Sequence, residues 1–568
     1  MSNSNRDGRV DLDGFSDTIS KTRWTEESGA IFLHNIGDTD RRCSRAMALN
    51  SQDLSNEELD DCNDASDNTQ RAPQYLAPLK TVPIKTLPEN ANGTVTVPEA
   101  TRRKFVRIFQ KQGQNWVYID NNHTFSQQEL NVGLDLGIDA RDTRRPKGWD
   151  GRVTVRFTVQ VGETKLSDTV MLRVAPVLTH HHLQKVQQVL AVQGNVINHP
   201  DLVDHYLVNF TNTLDSMIKD AGLKNDLYLF KSAGGKWAQD FVEPAYASMP
   251  GPNGTVSIRI MIRCPGDERQ GGRQLFQDFQ KSGVGVVQHL GQRSSNVDAG
   301  GNIEAIPPYT FNGKSWLAGR LIHGDDDTKS HILSYLEAQE SQEPLRLDTA
   351  WLAVGHVDEF LQFIPANNER GWVAVISDPR LAMKLLRETR EAGHGQLPAI
   401  SRKSDTNWPP DCFDFSCKPE PVNSGTINQL LDSKWFMWFN YECAQRIYRN
   451  IGVLKRQVGL TDEDIIRIPA LFKRYHFFGV DGHEFKAEAF FPAVINNLVL
   501  TGYDTCIAPN PWGPVIEGKD IFAEEIRNTY AEVGMKIKFI DDWNSDHKDL
   551  GGVHCGTNSI RDMPAKWW

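Results

Sequence analysis

The sequence predicts two successive folds on one chain, an all-β domain and then a longer α/β domain. Three observations predict them. Residues 82–177 carry short runs in which apolar and polar residues alternate, with turn signals between the runs. After Ala175-Pro176, runs of helical spacing alternate with short apolar strands to the end of the chain. At 568 residues the chain is also too long for one core, and domains of about 150 residues set a soft expectation of three.

Residues 1–75 come first. They are polar and acidic without a sustained period, and Ser51-Gln-Asp-Leu-Ser-Asn-Glu-Glu-Leu-Asp-Asp-Cys62 is a run of charge. Such a composition buries too little apolar surface to offset chain entropy, so the segment is expected to be disordered or loosely packed, with at most a short helix over 55–61.

Residues 76–178 are expected to form a β-sandwich. Thr94-Val-Thr-Val97, Phe105-Val-Arg-Ile-Phe109 and Trp116-Val-Tyr-Ile119 read as strands. Leu130, Val132, Leu134, Leu136 and Ile138 alternate with polar or small residues, as do Val153, Val155, Phe157, Val159 and Val161, ahead of Thr169-Val-Met-Leu-Arg-Val174. Alternate side chains of a strand face one side, so each run offers one face to a core. Asn92-Gly93, Lys147-Gly148 and Val161-Gly162 mark turns. Asp120-Asn-Asn122 reads as a turn, and Asp135, Asp139 and Asp142 as solvent-facing residues. The domain's expected role is scaffolding or partner contact.

Residues 179–568 read as α/β. Leu202, Val203, Tyr206, Leu207, Phe210, Leu214, Met217 and Ile218 keep helical spacing up to Gly222, and Leu227-Tyr-Leu-Phe230 follows as a strand. Trp372-Val-Ala-Val-Ile376 reads as a buried strand. Asp378 and Pro379 then supply an N-cap and a first helical position, and Gly393 ends that helix. One long amphipathic helix is expected over 426–458, with Gly459 after it, and Thr461 with Asp464 resembles a capping box. The pattern alone leaves open sheets, barrels and propellers equally available.

Composition narrows the function classes. At 39% hydrophobic and 24% charged residues the chain is globular. No apolar run reaches the ~18 residues of a membrane span, and Met1-Ser-Asn-Ser-Asn-Arg lacks the apolar core of a signal peptide, so a cytoplasmic protein is expected. A net charge of -11 argues against nucleic acid as a partner; it suits basic substrates or plain solubility. The 8 cysteines are scattered. Cys412 and Cys417 lack a second matching pair, so zinc is not expected, and in a reducing compartment the thiols are expected to be free.

Three stretches carry candidate chemistry. In Gly552-Val-His-Cys-Gly-Thr-Asn558, glycine lets backbone approach a ligand closely, and an imidazole beside Cys555 can hold a thiolate, the nucleophilic form of the side chain. A lone cysteine is more often a small buried core residue than a nucleophile. In Leu352-Ala-Val-Gly-His-Val-Asp-Glu-Phe360, His356 and Asp358 are two apart at the end of an apolar run. On a strand they would face one side while Val357 enters the core, although a polar pair at a strand end is also ordinary surface. The third is Trp237-Ala-Gln-Asp-Phe-Val-Glu243. Cys, His and two Asp exceed what a plain cysteine hydrolase needs, which is one base and one orienting group. The second carboxylate makes sense for a cationic substrate. A guanidinium is planar, presents a fork of donors and can be gripped by carboxylates on two edges while a thiolate attacks its central carbon.

These stretches resemble the active-site strings of the peptidylarginine deiminase (protein-arginine deiminase) family. Gly393-His-Gly395, Lys486-Ala-Glu-Ala-Phe-Phe-Pro492, Asn496-Asn-Leu-Val-Leu500, Pro511-Trp-Gly-Pro-Val515 and Lys566-Trp-Trp568 resemble further family signatures in the family's order, over about 200–568. Arg173-Val-Ala-Pro176 resembles the junction that follows the family's Ig-like region. The resemblance implies a C-terminal pentein, a propeller of five αβ modules, preceded by an Ig-like β-sandwich. It implies hydrolysis of peptidyl-arginine to peptidyl-citrulline and ammonia through a covalent thiouronium on Cys555. His356 then takes the place of the general acid and later base, and Asp240 and Asp358 those of the guanidinium-binding carboxylates. Trp237 would line the channel for the arginine stem, and His554 would only shape its loop. Either Arg269 or Arg273 would contact substrate backbone, a choice the resemblance leaves open. Partners would be proteins or peptides bearing arginine, with no nucleic acid and no membrane; a homodimer is compatible with it.

Vertebrate members of that family require calcium. By resemblance Gln239, Glu243 and Glu304 would ligate one Ca2+ through side chains, and Gly300 and Ile303 through carbonyl oxygens, an all-oxygen set that suits the ion. A second calcium is not expected, because Phe241 stands where the family has a carboxylate and residues 263–273 depart from the rest of that site. Rival readings are a pentein acting on small guanidines (free arginine, agmatine, methylated arginine), a non-catalytic binding protein on the same fold, and a papain- or transglutaminase-like hydrolase.

Overall fold

The computed structural model describes residues 1–50, 54–196, 199–231, 234–288, 290–291, 295–403, 425–475, 485–563 and 566–568, with backbone alone for 48–50, 195–196 and 199–203. Cys412 and Cys417 lie outside these residues, as do 51–53 of the acidic run.

Two β-sheets form the N-terminal part. Ala77–Lys80, Asp135–Ala140, Val106–Gln112 and Asn115–Ile119 pair antiparallel in that order. The second sheet runs Ala30–Phe32, Thr164–Val174, Arg152–Val161, Asn92–Thr96, Phe125–Ser126; all its pairs are antiparallel except the first. Leu79, Ile108, Leu136 and Ile138 from one sheet and Val95, Val153, Val155, Val170 and Leu172 from the other enter a single core. The alternation read along 153–161 therefore has its expected cause, burial of every second side chain.

The run 130–138 does not form one strand. Gln127–Val132 is a helix opened by a capping box between Ser126 and Glu129 and closed at Gly133, whose φ is +88°; the strand begins at Asp135. Leu130 is buried while Val132 is exposed, as one helical turn dictates. Asp139 does not face solvent either. It receives Arg107 Nε at 2.9 Å and Nη2 at 2.6 Å, and both side chains are fully buried.

The expectation of disorder over 1–75 is corrected for the described residues. Ala30–Phe32 adds a parallel edge to the second sheet, and Phe32 and Leu33 are fully buried. Arg6 donates to the carbonyls of Gly29 (2.9 Å) and Thr25 (2.6 Å), and Arg107 Nη1 donates to those of Asp64 and Asp67 at 2.9 Å. A disulfide joins Cys43 to Cys62, which corrects the expectation of free thiols there. Buried guanidinium–carbonyl bonds and a cross-link hold this segment, and neither leaves a hydrophobic period.

From Val186 onward one unit recurs. Among the described residues, five sheets each place a central strand between one antiparallel and one parallel neighbour. Gly254–Arg263 lies between Val242–Gly251 and Val284–Val287. Arg320–Asp325 lies between Ile303–Ile306 and Leu345–Asp348. Trp372–Asp378 lies between Leu361–Pro365 and Ile465–Pro469. Thr505–Pro509 lies between Leu498–Leu500 and Lys536–Ile540. The first sheet, centred on Val186–Val192, takes Tyr228–Phe230 as its parallel neighbour and the late strand Thr557–Arg561 as its antiparallel one. A helical segment bridges each parallel pair, since a parallel partner is reached only by a crossover. His205–Asp220, His331–Ala338, Pro379–Thr389 with Lys434–Val458, and Ile521–Glu532 are the longer ones.

Capping residues set the helix bounds. Asp204 accepts from the amides of Tyr206 and Leu207, which moves the first helix start from the expected 202 to His205. Asp378 caps Arg380 and Leu381, with Pro379 at the first position. The single helix expected over 426–458 is two. Ser433 ends Ile427–Asp432 and, accepting from Phe436 N, opens Lys434–Val458, which stops at Gly459 with φ +74°. Among the described residues no helix is long and apolar enough to cross a membrane.

Candidate active site

Cys555 lies on a one-turn helix, Val553–Gly556, that opens the strand Thr557–Arg561. Asn496 approaches it across 59 positions of sequence: Oδ1 accepts from Cys555 N at 3.0 Å and Nδ2 donates to Sγ at 3.2 Å. A Cβ at position 552 would stand 2.8 Å from Asn496 Oδ1, so glycine there is what lets the amide in.

His356 and Asp358 reach the same place by a turn, not by strand alternation. The strand starts at Leu361, and Val357–Glu359 is a short 3-10 turn. Glu359 Oε1 receives the amides of Gly355 (3.0 Å) and His356 (2.8 Å), which folds the chain back. Val357 does enter the core. Asp358 is 1% exposed; its Oδ2 accepts from His554 Nδ1 at 2.8 Å and from the Cys555 thiol at 3.5 Å. Asp358 Oδ1 and His356 Nδ1 are buried without a hydrogen-bond partner among the described residues. His356 Nε2 is 2.8 Å from the carbonyl oxygen of Asn296. Gly301 covers the pair, and a Cβ there would lie 2.9 Å from both Asp358 Oδ2 and His356 Nδ1.

Asp240 comes from the turn Ala238–Phe241, directly after Trp237. Arg269 donates from Nη1 to Asp240 O at 2.7 Å and holds Nη2 3.7 Å from Asp240 Oδ2. Arg273 points elsewhere, donating to Leu54 O at 2.7 Å. The geometry thus places Arg269, and not Arg273, at the candidate site. Trp237 packs on Gly551, where a Cβ would collide with its ring, and carries Lys236 Nζ 4.7 Å above it.

The electrostatics bind these groups together. Burial, then the carboxylates of Asp358 and Asp240, push the Cys555 thiol well above its ordinary range, while Asn496 works the other way. Burial raises the Asp240 carboxyl, against the charges of His356 and Arg269 and with that of Asp358. On His554 burial opposes the charge, but the hydrogen bond and charge of Asp358 leave its pKa raised. The result is a thiol whose ionisation two neighbouring acids oppose.

Beside this site Gln239, Glu243, Ile303 and Glu304 line a cavity of about 40 Å³. Gln239 Nε2 donates to Glu243 Oε2 at 3.4 Å, and a Cβ on Gly300 would stand 3.3 Å from that oxygen. Glu304 Oε1 is buried without a hydrogen-bond partner among the described residues. Burial and then the neighbouring Glu304 push Glu243 well up; burial lifts Glu304 to about 7. Two buried carboxyls held above their ordinary range, Glu243 in part by the charge of Glu304 and Glu304 in part by that of Asp358, with one oxygen unpaired among the described residues, fit a divalent cation. Phe241 is different: it is buried edge-on to Phe230 at 4.9 Å, and Gly271 packs on its ring.

Asn496 and the Asp358–His554 bond were not visible in sequence. Asn496 heads the string Asn496-Asn-Leu-Val-Leu500, which resembles a family signature but carries no sign of a contact with Cys555. The His-Cys adjacency was the one signal for His554, yet its partner lies 196 positions away.

Residues 164–568 match the family model described as protein-arginine deiminase (PAD). Protein-arginine deiminase type-4 of Mus musculus is 32% identical over 422 residues, covering 71% of this chain and 56% of that protein. Type-3 of Homo sapiens is 32% identical over 417 residues with the same coverages. Type-4 of Rattus norvegicus is 28% identical over 586 residues, covering 96% of this chain and 79% of that one. The chain thus spans little more than half the length of the first two relatives in the matched stretch. Among solved structures, an agmatine deiminase of Enterococcus faecalis aligns with a TM-score of 0.36 at 11% identity, over 68% of this chain and 96% of that one.

Proposed function

This chain belongs to the protein-arginine deiminase family, and from that premise we propose that it hydrolyses peptidyl-arginine to peptidyl-citrulline and ammonia. The observation that carries the reading is the Cys555 thiol 3.5 Å from Asp358 Oδ2, under the charge of both Asp358 and Asp240. A guanidinium entering between the two carboxylates supplies the positive charge that lets the thiol ionise, its proton passing to solvent water. The thiolate bonds to Cζ, and His356 gives a proton to the departing nitrogen, which leaves as ammonia. A thiouronium remains on Cys555. Water, deprotonated by His356, then adds to the same carbon; the C–S bond breaks and the urea of citrulline is released. Arg269 braces Asp240, and Trp237 lines the approach.

The same reading includes one Ca2+, with Gln239, Glu243 and Glu304 as side-chain ligands and Gly300 and Ile303 as carbonyl ligands. Bound there, the ion would neutralise two carboxyls and hold the turn that covers His356 and Asp358. A second ion is not part of the proposal, since Phe241 offers it no oxygen. The fold reading is a pentein over 179–568, supported by five like sheets and by the return of Thr557–Arg561 to the first of them. An Ig-like sandwich is proposed for 76–178, to which Ala30–Phe32 adds a strand.

Mass spectrometry tests the activity. An arginine peptide, free arginine and agmatine are incubated with the chain, with calcium and with excess chelator. Replacement of NH by O on the peptide, in preference to the small guanidines and absent in Cys555→Ala, is the expected result. Preference for a small guanidine overturns the protein substrate, and turnover by Cys555→Ala overturns the nucleophile.

A further inference from the structure

The run His180-His181-His182 has no part in the proposed reaction. Its last residue reaches the cavity beside the catalytic groups, where His182, Glu304 and His554 each bring one ligand atom within 4.8 Å of the other two. Glu304 Oε1 is buried and lacks a hydrogen-bond partner among the described residues. Glu304 is 5% exposed and His554 8%.

Both imidazoles are already oriented from behind. His554 donates from Nδ1 to Asp358 Oδ2 at 2.8 Å, and His182 Nδ1 lies 2.9 Å from the carbonyl oxygen of Phe363. A hydrogen bond at Nδ1–H fixes the tautomer and leaves the lone pair on Nε2, the arrangement that backs metal-bound histidines. The rings stand nearly perpendicular, at 82° with centroids 6.2 Å apart. His180 lines the same cavity with its Nε2 buried and without a hydrogen-bond partner among the described residues.

We propose that His182, Glu304 and His554 form a binding site for a borderline divalent transition-metal ion of the zinc class. Two imidazoles and one carboxylate are a donor set of three-ligand zinc sites. Imidazole nitrogen prefers zinc, cobalt, nickel and copper, whereas calcium takes oxygen alone. The histidine wall therefore selects a different ion from the oxygen wall of Gln239 and Glu243. Glu304 belongs to both, so the two ions exclude each other. Through His554 the transition-metal ion draws on Asp358, and it acts against guanidinium binding.

Cobalt is the probe. The full chain in calcium-free buffer is titrated with Co2+ and followed by visible d–d absorption, a readout that needs no turnover and is independent of the activity proposed above. The parent is expected to bind with a saturable d–d band that Zn2+ abolishes. Glu304→Gln and His182→Ala are expected to weaken the ion by roughly ten- to a hundredfold. His182→Cys is expected to keep the ion and add a thiolate-to-cobalt charge-transfer band, a gain that a misfolded variant would not produce. Absence of the d–d band in the parent, parent-like affinity in His182→Ala, or a His182→Cys spectrum without charge transfer would each overturn the site.

Discussion

Asn496 holds Cys555 by two atoms, receiving its amide at Oδ1 (3.0 Å) and donating from Nδ2 to its sulfur (3.2 Å). The Asn496 carbonyl also receives His554 N at 3.1 Å. One residue thus fixes the direction of the nucleophile and the position of the imidazole that binds Asp358. A donor aimed at sulfur favours the thiolate, so the contact tunes charge as well as place.

Asn496→Ala should therefore lower kcat by about a hundredfold, the cost of misplacing a reacting group by ~1 Å. Asn496→Asp separates charge from packing. It keeps the shape but adds a third acid beside the thiol, so the pH profile of Cys555 alkylation by iodoacetamide should move to higher pH. A profile unchanged in both variants would reduce Asn496 to a structural residue.

Asp240 makes the complementary case. Its carboxylate is one of the groups that raise the Cys555 thiol. A raised thiol pKa keeps sulfur neutral at neutral pH and delays alkylation until the pH climbs. Asp240→Asn removes one negative charge, so the thiol pKa falls and alkylation begins at lower pH, although turnover of a guanidinium substrate drops. Alkylation shifted to higher pH in that variant would contradict the electrostatic account.

How much of this was legible beforehand depends on the kind of interaction. Val153, Val155 and Val159 announced their strand because burial on one face leaves a period of two. Asp378 and Pro379 announced a helix start because capping is local chemistry. The order of the described part of residues 1–75 rests on Arg6 and Arg107 reaching backbone carbonyls and on a cross-link, none of which is periodic. Cys555, Asp358 and Asp240 were recognisable by their strings. The turn that brings His356 beside Asp358 depends on Glu359 folding back on two amides, a bond the string does not display.

The two arginines left open by sequence should separate in experiment. Arg269 lies against Asp240, whereas Arg273 holds Leu54 O. Arg269→Ala should lower kcat/KM at least tenfold, the size expected when a charge-assisted hydrogen bond worth about 1.5–3 kcal/mol is lost. Arg273→Ala should leave kcat/KM within about threefold and instead raise protease sensitivity around residue 54. Equal losses of kcat/KM in the two variants would remove the distinction.

Calcium can be tested at Glu304, whose Oε1 is unpaired among the described residues and whose carboxyl is lifted to about 7 by burial. A carboxyl raised in this way must lose its proton to ligate, so calcium should bind more tightly as the pH rises through 7. Peptide deimination should fall in excess chelator and return with added Ca2+, and Glu304→Ala should need about tenfold more of the ion or fail to recover. Parent rates that do not change in chelator would remove the metal from the reaction.

The Cys43–Cys62 cross-link should matter beyond its own loop. It spans 19 positions, and closing a loop of that length restricts the open chain by about 3 kcal/mol. Between the two cysteines, Asn56 donates to Asp267 at 2.7 Å and receives Arg263 Nη1 at 2.9 Å; just after the bridge, Gln280 Nε2 donates to Cys62 O at 2.9 Å. Those contacts brace residues 263–280, the segment that presents Arg269 to Asp240. Replacing both cysteines by serine should therefore speed hydrogen exchange of amides in 42–50 and 54–62 by roughly a hundredfold if local opening carries the cost. The effect should spread, more weakly, to 263–280. The parent in dithiothreitol should behave as the double variant does, since reduction and substitution free the same loop. Exchange that stays slow in 42–50 and 54–62 after the bridge is removed would mean that the arginine contacts alone hold these residues.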